Sequence, residues 1–176
     1  MEPDLRYPIG KFEPITSLTA DQRRAGIDAI AEAPGRLSSA VTGLAAAQLD
    51  TPYRPGGWTV PQVVHHIPDS HLNSYVRFKL ALTEDEPTVK TYDEALWAEL
   101  ADAKTAPIAP SLALLENLHT RWVLLLRSFT SAEWARTFRH AEWGQVPLDF
   151  TLAQYAWHGK HHVAHITALR ERNSWR

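Results

Sequence analysis

The stretch Trp157-His158-Gly159-Lys160-His161-His162-Val163-Ala164-His165-Ile166 is the most distinctive part of the sequence. Four of the nine histidines of the chain fall within it. Histidine is the commonest metal ligand, and two histidines four residues apart on a helix can hold one ion from a single face. Whether they do so here depends on which of them point inward and on which ligand residues from elsewhere in the chain lie close to them.

A C-terminal helix over about residues 151–172 is predicted to carry this stretch. Its core face consists of apolar and small residues at helical spacing: Leu152, Tyr155, Gly159, Val163 and Ile166. On the same helical wheel His158, His162 and His165 lie along one edge of the core face. His161 falls opposite that face, and we expect it to point outward.

A second helix, over about residues 60–82, contains the pair His65-His66. The capping-box pattern Thr59-Val60-Pro61-Gln62 opens it. His66 lies on the flank of the core face, in a polar stripe with Ser70, Asn73 and Arg77, whereas His65 is expected to face solvent. Pro68 lies inside this helix and predicts a kink, because proline removes a backbone hydrogen bond.

The remaining chain supplies two more long amphipathic helices. One bent helix is predicted from the capping box at Thr19 to near Leu49, and another from near Ser111 to Phe129. The other predicted segments are an extended arm (1–17), a loop (83–91), a short helix (92–104), one helical turn (131–134), and a small hairpin or ordered loop (136–150). The pattern predicts an all-α fold, a four-helix bundle with short extra helices, in a single domain of residues 1–176.

The composition excludes several classes of function. The net charge of -2 gives no sign of a nucleic-acid surface, and no apolar run reaches the roughly 18 residues of a membrane span. The polar N-terminus carries no apolar signal core, so we expect a cytoplasmic protein. The chain has no cysteine, which removes disulfides, thiolate ligands and a cysteine nucleophile.

The histidines of the two helices can form a metal site. If the helices pack side by side, His66 converges with His158 and His162. Three neutral nitrogens that leave positions open to water are typical of a catalytic site rather than a closed structural one. Asp69 and Arg77 are the candidate catalytic, substrate-binding or outer-shell residues beside His66.

Other interpretations of the histidines remain open at this point. The cluster can also be a polar interface patch or an adventitious site, and the pair His161 and His165 has the same spacing. His71 and His119 fall near core faces and are predicted to be structural. His140, in the irregular segment, either lines a pocket or lies on the surface.

Several motifs are spread over nearly the whole chain. They are Tyr7-Pro8-Ile9-Gly10, Leu49-Asp50-Thr51-Pro52-Tyr53-Arg54, Gly56-Gly57-Trp58-Thr59-Val60, Val63-Val64-His65-His66, Asp69-Ser70-His71, Trp157-His158 and His161-His162-Val163-Ala164-His165-Ile166. In combination they resemble the YfiT group of the DinB superfamily. Pro68 departs from the pattern of that group, and residues 136–150 are less alike.

The resemblance implies a DinB-like four-helix bundle with a three-histidine metal site, here His66, His158 and His162. It implies a divalent metal, zinc or nickel, a small-molecule substrate and a homodimer. Members are described as metal-dependent hydrolases, and some in the wider superfamily are S-transferases or isomerases that use bacillithiol or mycothiol.

Three functions are compatible with these residues and this resemblance. The first is a thiol S-transferase, in which the metal holds a low-molecular-weight thiol such as bacillithiol as thiolate. The second is a metal-dependent hydrolase, for which Asp69 is the candidate general base. The third is a non-catalytic metal- or ligand-binding bundle protein.

Overall fold

Four long helices form the framework of the computed structural model, which describes residues 4–175. They are α1 (Ala20–Val41), α3 (Val60–Thr83), α6 (Ala109–Arg127) and α8 (Leu148–Arg172), and the short helices between them are α2 (Ala46–Leu49), α4 (Glu94–Trp97), α5 (Ala101–Thr105) and α7 (Ser131–Trp134). α1 packs on α8 and α6, and α3 packs on the same two helices, which closes a four-helix bundle. Within residues 4–175, no helix combines the length and hydropathy needed to cross a bilayer.

Capping boxes begin the two helices where the sequence predicts them. The Thr19 hydroxyl accepts a hydrogen bond from the Gln22 amide at 3.2 Å, and the Gln22 side chain accepts one from the Thr19 amide at 2.8 Å. At the start of α3, the Gln62 side chain accepts from the Thr59 amide at 3.0 Å. Both helices then continue through an internal proline, Pro34 in α1 and Pro68 in α3.

A small three-stranded sheet precedes the last helix. Its strands are β1 (Thr88–Val89), β2 (Thr137–His140) and β3 (Gly144–Pro147), in the order β1-β2-β3. β2 and β3 form the predicted hairpin, and Gly144 adopts the positive φ of 68° that its turn requires. β1 pairs with β2 in parallel, so the segment over 83–91 is not the plain loop expected from its prolines and acidic residues.

Three helix predictions differ from the structure, the first of them for a local physical reason. The first helix ends at Val41 rather than near Leu49, because Gly43 takes a left-handed φ of 78° that stops it. The segment over 92–104 forms two short helices, α4 and α5, instead of one. The last helix begins at Leu148, directly after β3, three residues before the predicted start.

The interior of the bundle is divided into two apolar clusters with polar side chains between them. Along α3, Val60, Val63, Val64 and Ile67 belong to one cluster, and Tyr75, Phe78 and Ala81 belong to the other. Along α8, Leu148, Leu152 and Tyr155 belong to the cluster that contains Phe78. Ile166 and Leu169 belong to the cluster that contains Val63. His71, His158 and His162 fall in the gap between them. The bundle therefore places a polar layer at mid-height, enclosed above and below by apolar packing.

Asp149 links the start of α1 to the start of α8. It is 4% exposed and accepts hydrogen bonds from the Leu18 amide at 3.0 Å and from two guanidinium nitrogens of Arg23 at 2.7 and 2.8 Å. We expect Asp149→Asn to lower the free energy of unfolding by about 2 kcal/mol, since the buried partners lose a charged acceptor. Urea denaturation at pH 7 measures the change.

The exposed pair of Arg36 and Glu32 is the matched control for that measurement. Both side chains are more than half exposed, at 57% and 55%. We expect Glu32→Gln to change the free energy of unfolding by less than about 0.5 kcal/mol. An equally small effect of Asp149→Asn would show that the buried pair contributes little.

Candidate metal centre

Three histidine side chains converge from two helices of the bundle. His66 comes from α3, and His158 and His162 come from consecutive turns of α8. One nitrogen atom from each ring lies within 4.8 Å of a nitrogen from each of the other two. The Nε2 atoms of His66 and His158 are 3.3 Å apart. Two of these rings are half-buried, and His162 is buried.

The sequence brings these three rings together through helical phase. His158 and His162 are four residues apart, so their side chains point the same way along α8. His66 lies on the flank of α3 that faces α8, and the two helices are in contact. Gly159, next to His158, allows α1 to approach closely, since a Cβ there would lie 3.3 Å from the Cβ of Ala33.

A chain of hydrogen bonds orients His158. The carbonyl of Ile30 can only accept, so Nδ1 of His119 donates to it at 2.6 Å. Nε2 of His119 then accepts from Nδ1 of His71 at 2.8 Å, and Nε2 of His71 accepts from Nδ1 of His158 at 3.1 Å. These tautomers follow from the hydrogen-bond network. They leave the lone pair of His158 on Nε2, the atom that faces His66.

Burial keeps the three converging imidazoles neutral. It lowers the pKa of His66 to about 4 and the pKa values of His158 and His162 well below 6.5, and the neighbouring histidines lower the latter two further. The neutral form of histidine is the one that binds a metal ion. The cluster is therefore in the protonation state that an ion requires at neutral pH.

The residues present fit a divalent ion. Two imidazole nitrogens that each lie about 2.0–2.1 Å from one tetrahedral ion are about 3.3–3.4 Å apart. The separation of His66 and His158 matches that spacing. Within residues 4–175, the buried Nδ1 of His162 has no hydrogen-bond partner. The Nδ1 atoms of His161 and His165 are also buried without a partner, so the described residues leave three imidazole nitrogens to be satisfied by groups outside the protein.

A cavity of about 600 Å³ opens beside the three histidines. Aromatic side chains form much of its wall: Tyr53, Trp58, Tyr92, Trp143 and Tyr155. Among the described residues, the arginines that line it are Arg6, Arg54 and Arg77. This volume lies in the range of pockets that bind small molecules. It agrees with the small-molecule substrate that the family resemblance implies.

The N-terminal arm closes one side of the cavity. Nε2 of His165 donates to the carbonyl of Arg6 at 3.1 Å, and Tyr7 lies against the ring of His161 with 5.9 Å between ring centres. Phe12 packs edge-on against Phe150 at 5.4 Å. The arm is free of helix and strand from residue 4 to residue 18, and residues 1–3 of the predicted arm lie outside the described part.

Asp69 and Arg77, the two candidate residues beside His66, have different positions. Arg77 lines the cavity and is buried. Asp69 does not line it and instead borders a separate small space with His66, Tyr92 and Trp97. Burial raises the pKa of Asp69 to about 6. The structure therefore brings Arg77 to the site but gives Asp69 no direct access to a ligand in the cavity.

Two histidines that were predicted to face outward are buried. His65 is 6% exposed, because the first turn of α6 and the segment before it cover it. Its Nδ1 lies 2.7 Å from the Ser111 hydroxyl, and its Nε2 donates to the Ala106 carbonyl at 3.2 Å. His161 is also 6% exposed, because Trp157 and the arm residue Tyr7 cover it, and it lines the cavity. A helical wheel cannot show such coverage, since it contains only one helix.

The remaining histidines occupy defined positions. His71 and His119 are buried as predicted, and beyond a packing role they orient His158. His140 lines the cavity, which decides between the two positions considered for it. His165 also lines the cavity and has its lone pair on Nδ1, because Nε2 carries the proton given to Arg6.

The buried histidines predict a loss of stability in acid for the metal-free protein. Burial lowers the pKa of His119 to about 4, below the 6.5 of an exposed imidazole. As the pH falls from about 6.5 toward 4, the unfolded chain takes up this proton before the folded chain does, so folding stability decreases. For this one residue we expect a loss approaching about 1.4 kcal/mol per pH unit in that window.

Urea denaturation at pH 7.5, 6.5 and 5.5 measures this dependence. His119→Gln removes the titrating group and should show a shallower loss of stability than wild type over the same window. Parallel losses in the two proteins would contradict the assignment to His119.

A four-helix bundle in which three neutral histidines converge beside a cavity defines a candidate metalloprotein. Comparison with known proteins narrows this class. The sequence model of the DinB superfamily matches residues 29–166, and the chain belongs to this superfamily. It is 53% identical over 172 residues to proteins of Bacillus mycoides (strain KBAB4) and Bacillus cereus (strain ATCC 10987 / NRS 248), each with the name "Putative metal-dependent hydrolase". Each alignment covers 98% of this chain and 99% of the relative.

Solved structures give the same result for the fold. YfiT from Bacillus subtilis, described as a probable metal-dependent hydrolase with an unusual four-helix bundle topology, superposes with a TM-score of 0.95. The two proteins are 49% identical over 98% of this chain and 99% of that one. The mycothiol-dependent maleylpyruvate isomerase superposes with a TM-score of 0.64 at 18% identity, over 80% of this chain and 59% of that one, and this likeness shows the fold alone.

Proposed function

We propose that the chain is a metal-dependent hydrolase of a small-molecule substrate, with a divalent ion held by His66, His158 and His162. The observation that carries the proposal is the convergence of three imidazole nitrogens within 4.8 Å beside a cavity of about 600 Å³. Relatives that share half of the sequence over nearly their whole length carry the name "Putative metal-dependent hydrolase", which supports it.

The donor set favours a transition-metal ion, and among these ions the resemblance to the DinB superfamily favours zinc or nickel. Imidazole nitrogen suits both ions, whereas magnesium and calcium prefer oxygen ligands. When bound, such an ion supplies Lewis acidity, which polarises a substrate oxygen and lowers the pKa of a coordinated water or thiol. Three protein ligands leave room for one of these.

The residues around the three histidines orient the ligand atoms and form the wall of the cavity. The hydrogen-bond chain through His71 holds His158 with its lone pair toward the ion site. His165 lies 5.2 Å from His162 between ring centres, and its Nε2 donates to the Arg6 carbonyl, so it ties the N-terminal arm to the site. The N-terminal arm and the aromatic residues cover part of the cavity wall.

A thiol S-transferase is the second candidate. The exposure of the carboxylates that line the cavity favours it. Both glutamates in the lining, Glu94 and Glu142, are exposed, and Asp69 lies outside the cavity. Among the described residues, the lining thus has no buried carboxylate to act as a general base. A low-molecular-weight thiol such as bacillithiol, ionised at the ion, would need no such base to become a nucleophile.

One set of assays separates these functions. The protein is stripped with a chelator, reloaded with zinc or nickel, and tested on ester and amide panels in thiol-free buffer. Separately, bacillithiol and monochlorobimane are supplied together. We expect hydrolysis by the reloaded protein, with background rates for the metal-free protein and for His162→Ala.

Each alternative predicts a different pattern in these assays. Turnover only when thiol and electrophile are present would replace the hydrolase with the S-transferase. Tight retention of the metal without turnover in either assay would indicate a non-catalytic binding protein. Hydrolysis at equal rates with and without metal would refute the metal-dependent mechanism.

A further inference from the structure

Arg77 is a buried cation in the wall of the cavity. It lies on α3 and is 7% exposed. Within residues 4–175, its guanidinium makes one hydrogen bond, from Nη2 to the Lys90 carbonyl at a long 3.4 Å. Of its five N–H donors, one therefore makes a hydrogen bond to the described residues, and this hydrogen bond is weak.

No carboxylate of the described residues forms an ion pair with Arg77. Burying a guanidinium without a counter-charge is unfavourable, and buried charges in proteins are normally paired. A purely structural arginine would be expected to have its donors satisfied by the fold. Arg77 instead keeps most of them available at the surface of a cavity.

The other two arginines of the cavity differ from Arg77 in this respect. Arg6 is exposed and pairs with Asp4 at 3.0 Å. Arg54 donates to the Tyr53 hydroxyl at 3.2 Å and to the Pro55 carbonyl at 3.0 Å, so its own loop holds it. Arg54, like Arg77, has no carboxylate partner among the described residues, but it is only half-buried and two of its nitrogens donate. Arg77 is therefore the buried arginine of the cavity whose donors the described residues leave largely unused.

The groups near Arg77 are neutral hydrogen-bonding groups. Burial raises the pKa of Tyr92 to about 12 and also raises the pKa of Tyr155, so both phenols keep their protons. Burial and the charge of Arg77 lower the pKa of His140. The two carboxylates of the cavity lining, Glu94 and Glu142, are exposed, and neither forms an ion pair with Arg77. Neutral donors around the guanidinium can therefore form a cradle for an anion.

The position of Arg77 relative to His66 sets the shape of the ligand. The two residues are eleven positions apart on α3, which is about three turns and about 16 Å along the axis, so they share one face. Arginine side chains on a helix lean back toward its N-terminus, which here is the direction of His66. A molecule in the cavity can therefore contact both ends of this stripe.

We propose that Arg77 binds an oxyanion group, a carboxylate or a phosphate, at the end of the substrate remote from the three histidines. The planar fork of the guanidinium matches two oxygens of either group. The inference rests on the proposed function in one respect, because it takes the bound anion to be the substrate of that site. It restricts the substrate class to anionic molecules with a reactive bond at the opposite end.

The test measures the binding of benzoate, phenyl phosphate and benzamide by saturation-transfer NMR. Wild type, Arg77→Gln and the matched cavity variant Arg54→Gln are compared as purified and again after chelation, so that binding of an anion to a metal ion is not counted. We expect at least one of the two anions to bind wild type at least about tenfold more tightly than neutral benzamide. Which of them does so distinguishes the carboxylate from the phosphate.

Arg77→Gln should weaken binding of that anion about tenfold or more and leave benzamide within twofold, and Arg54→Gln should leave both nearly unchanged. Equal affinities of wild type for both anions and benzamide would overturn the proposal, as would anion binding that survives Arg77→Gln or is lost in Arg54→Gln. If Arg77→Gln does not fold, the Nε–Hε resonance of Arg77 in wild type must shift on addition of the anion, and an unmoved resonance overturns it. Because chelated protein is included, failed hydrolysis refutes the proposed function without affecting this result.

Discussion

Purified His162→Ala is expected to retain less than about a tenth of the metal that wild type carries. His162 supplies one of three converging nitrogens, and its ring has no protein hydrogen bond at Nδ1 within the described residues. Loss of an outer-shell partner alone typically costs 10–100-fold in metal affinity, so loss of a ligand should cost more than about 100-fold. Elemental analysis of both proteins, expressed and purified in parallel, measures the metal per chain.

His140→Ala is the matched control for this substitution. His140 is also a buried histidine of the cavity, but it does not belong to the converging set. It should retain metal as wild type does. Full metal retention by His162→Ala, or an equal loss in both variants, would refute the assignment of His162 as a ligand.

His71→Leu is expected to weaken metal binding about 10–100-fold while leaving all three converging histidines in place. The substitution removes the acceptor for Nδ1 of His158, which then loses both its fixed tautomer and its orientation. It also leaves Nε2 of His119 without its donor. Competition for zinc against a chromophoric chelator measures the affinity.

A control must separate this effect from simple destabilisation. His65→Leu removes another buried histidine of α3 with two hydrogen bonds, so it should cost comparable stability, but His65 bonds to Ser111 and Ala106 rather than to His158. Its zinc affinity should remain close to that of wild type when both variants are assayed well below their melting temperatures. Equal zinc affinities of His71→Leu and wild type would show that the hydrogen-bond chain does not support the site.

Helical phase was sufficient to select the three converging histidines from the sequence. The spacing of His158 and His162 places both on one face of any helix, and the wheel placed His66 on the flank of another. The capping boxes at Thr19 and Thr59 fixed two helix starts, because the signal is local and satisfies backbone donors directly. These features depend on residues close together in the chain.

The features that sequence reasoning missed depend on contacts between distant segments. His161 is buried because the arm, more than 150 residues away in the chain, folds over it. The tautomer of His158 depends on the carbonyl of Ile30, which no side-chain pattern reveals. The position of Asp69 outside the cavity depends on the packing of α4, whose bounds were also predicted wrongly.

The lack of a carboxylate partner for Arg77 among the described residues could also not be predicted from the sequence. The place of Arg77 in the polar stripe with His66 could be read from helical phase, but the absence of a carboxylate partner in the described part of the chain appears only in the folded structure. Charged residues are normally assumed to reach solvent or a counter-charge.

The most direct test of the three-histidine site is anomalous diffraction from crystals of the protein loaded with zinc, collected above and below the zinc absorption edge. A three-histidine site predicts one strong peak about 2.0–2.1 Å from a nitrogen of each of His66, His158 and His162. A peak at any other group of residues, or a fully loaded crystal without a peak at these three, would contradict it.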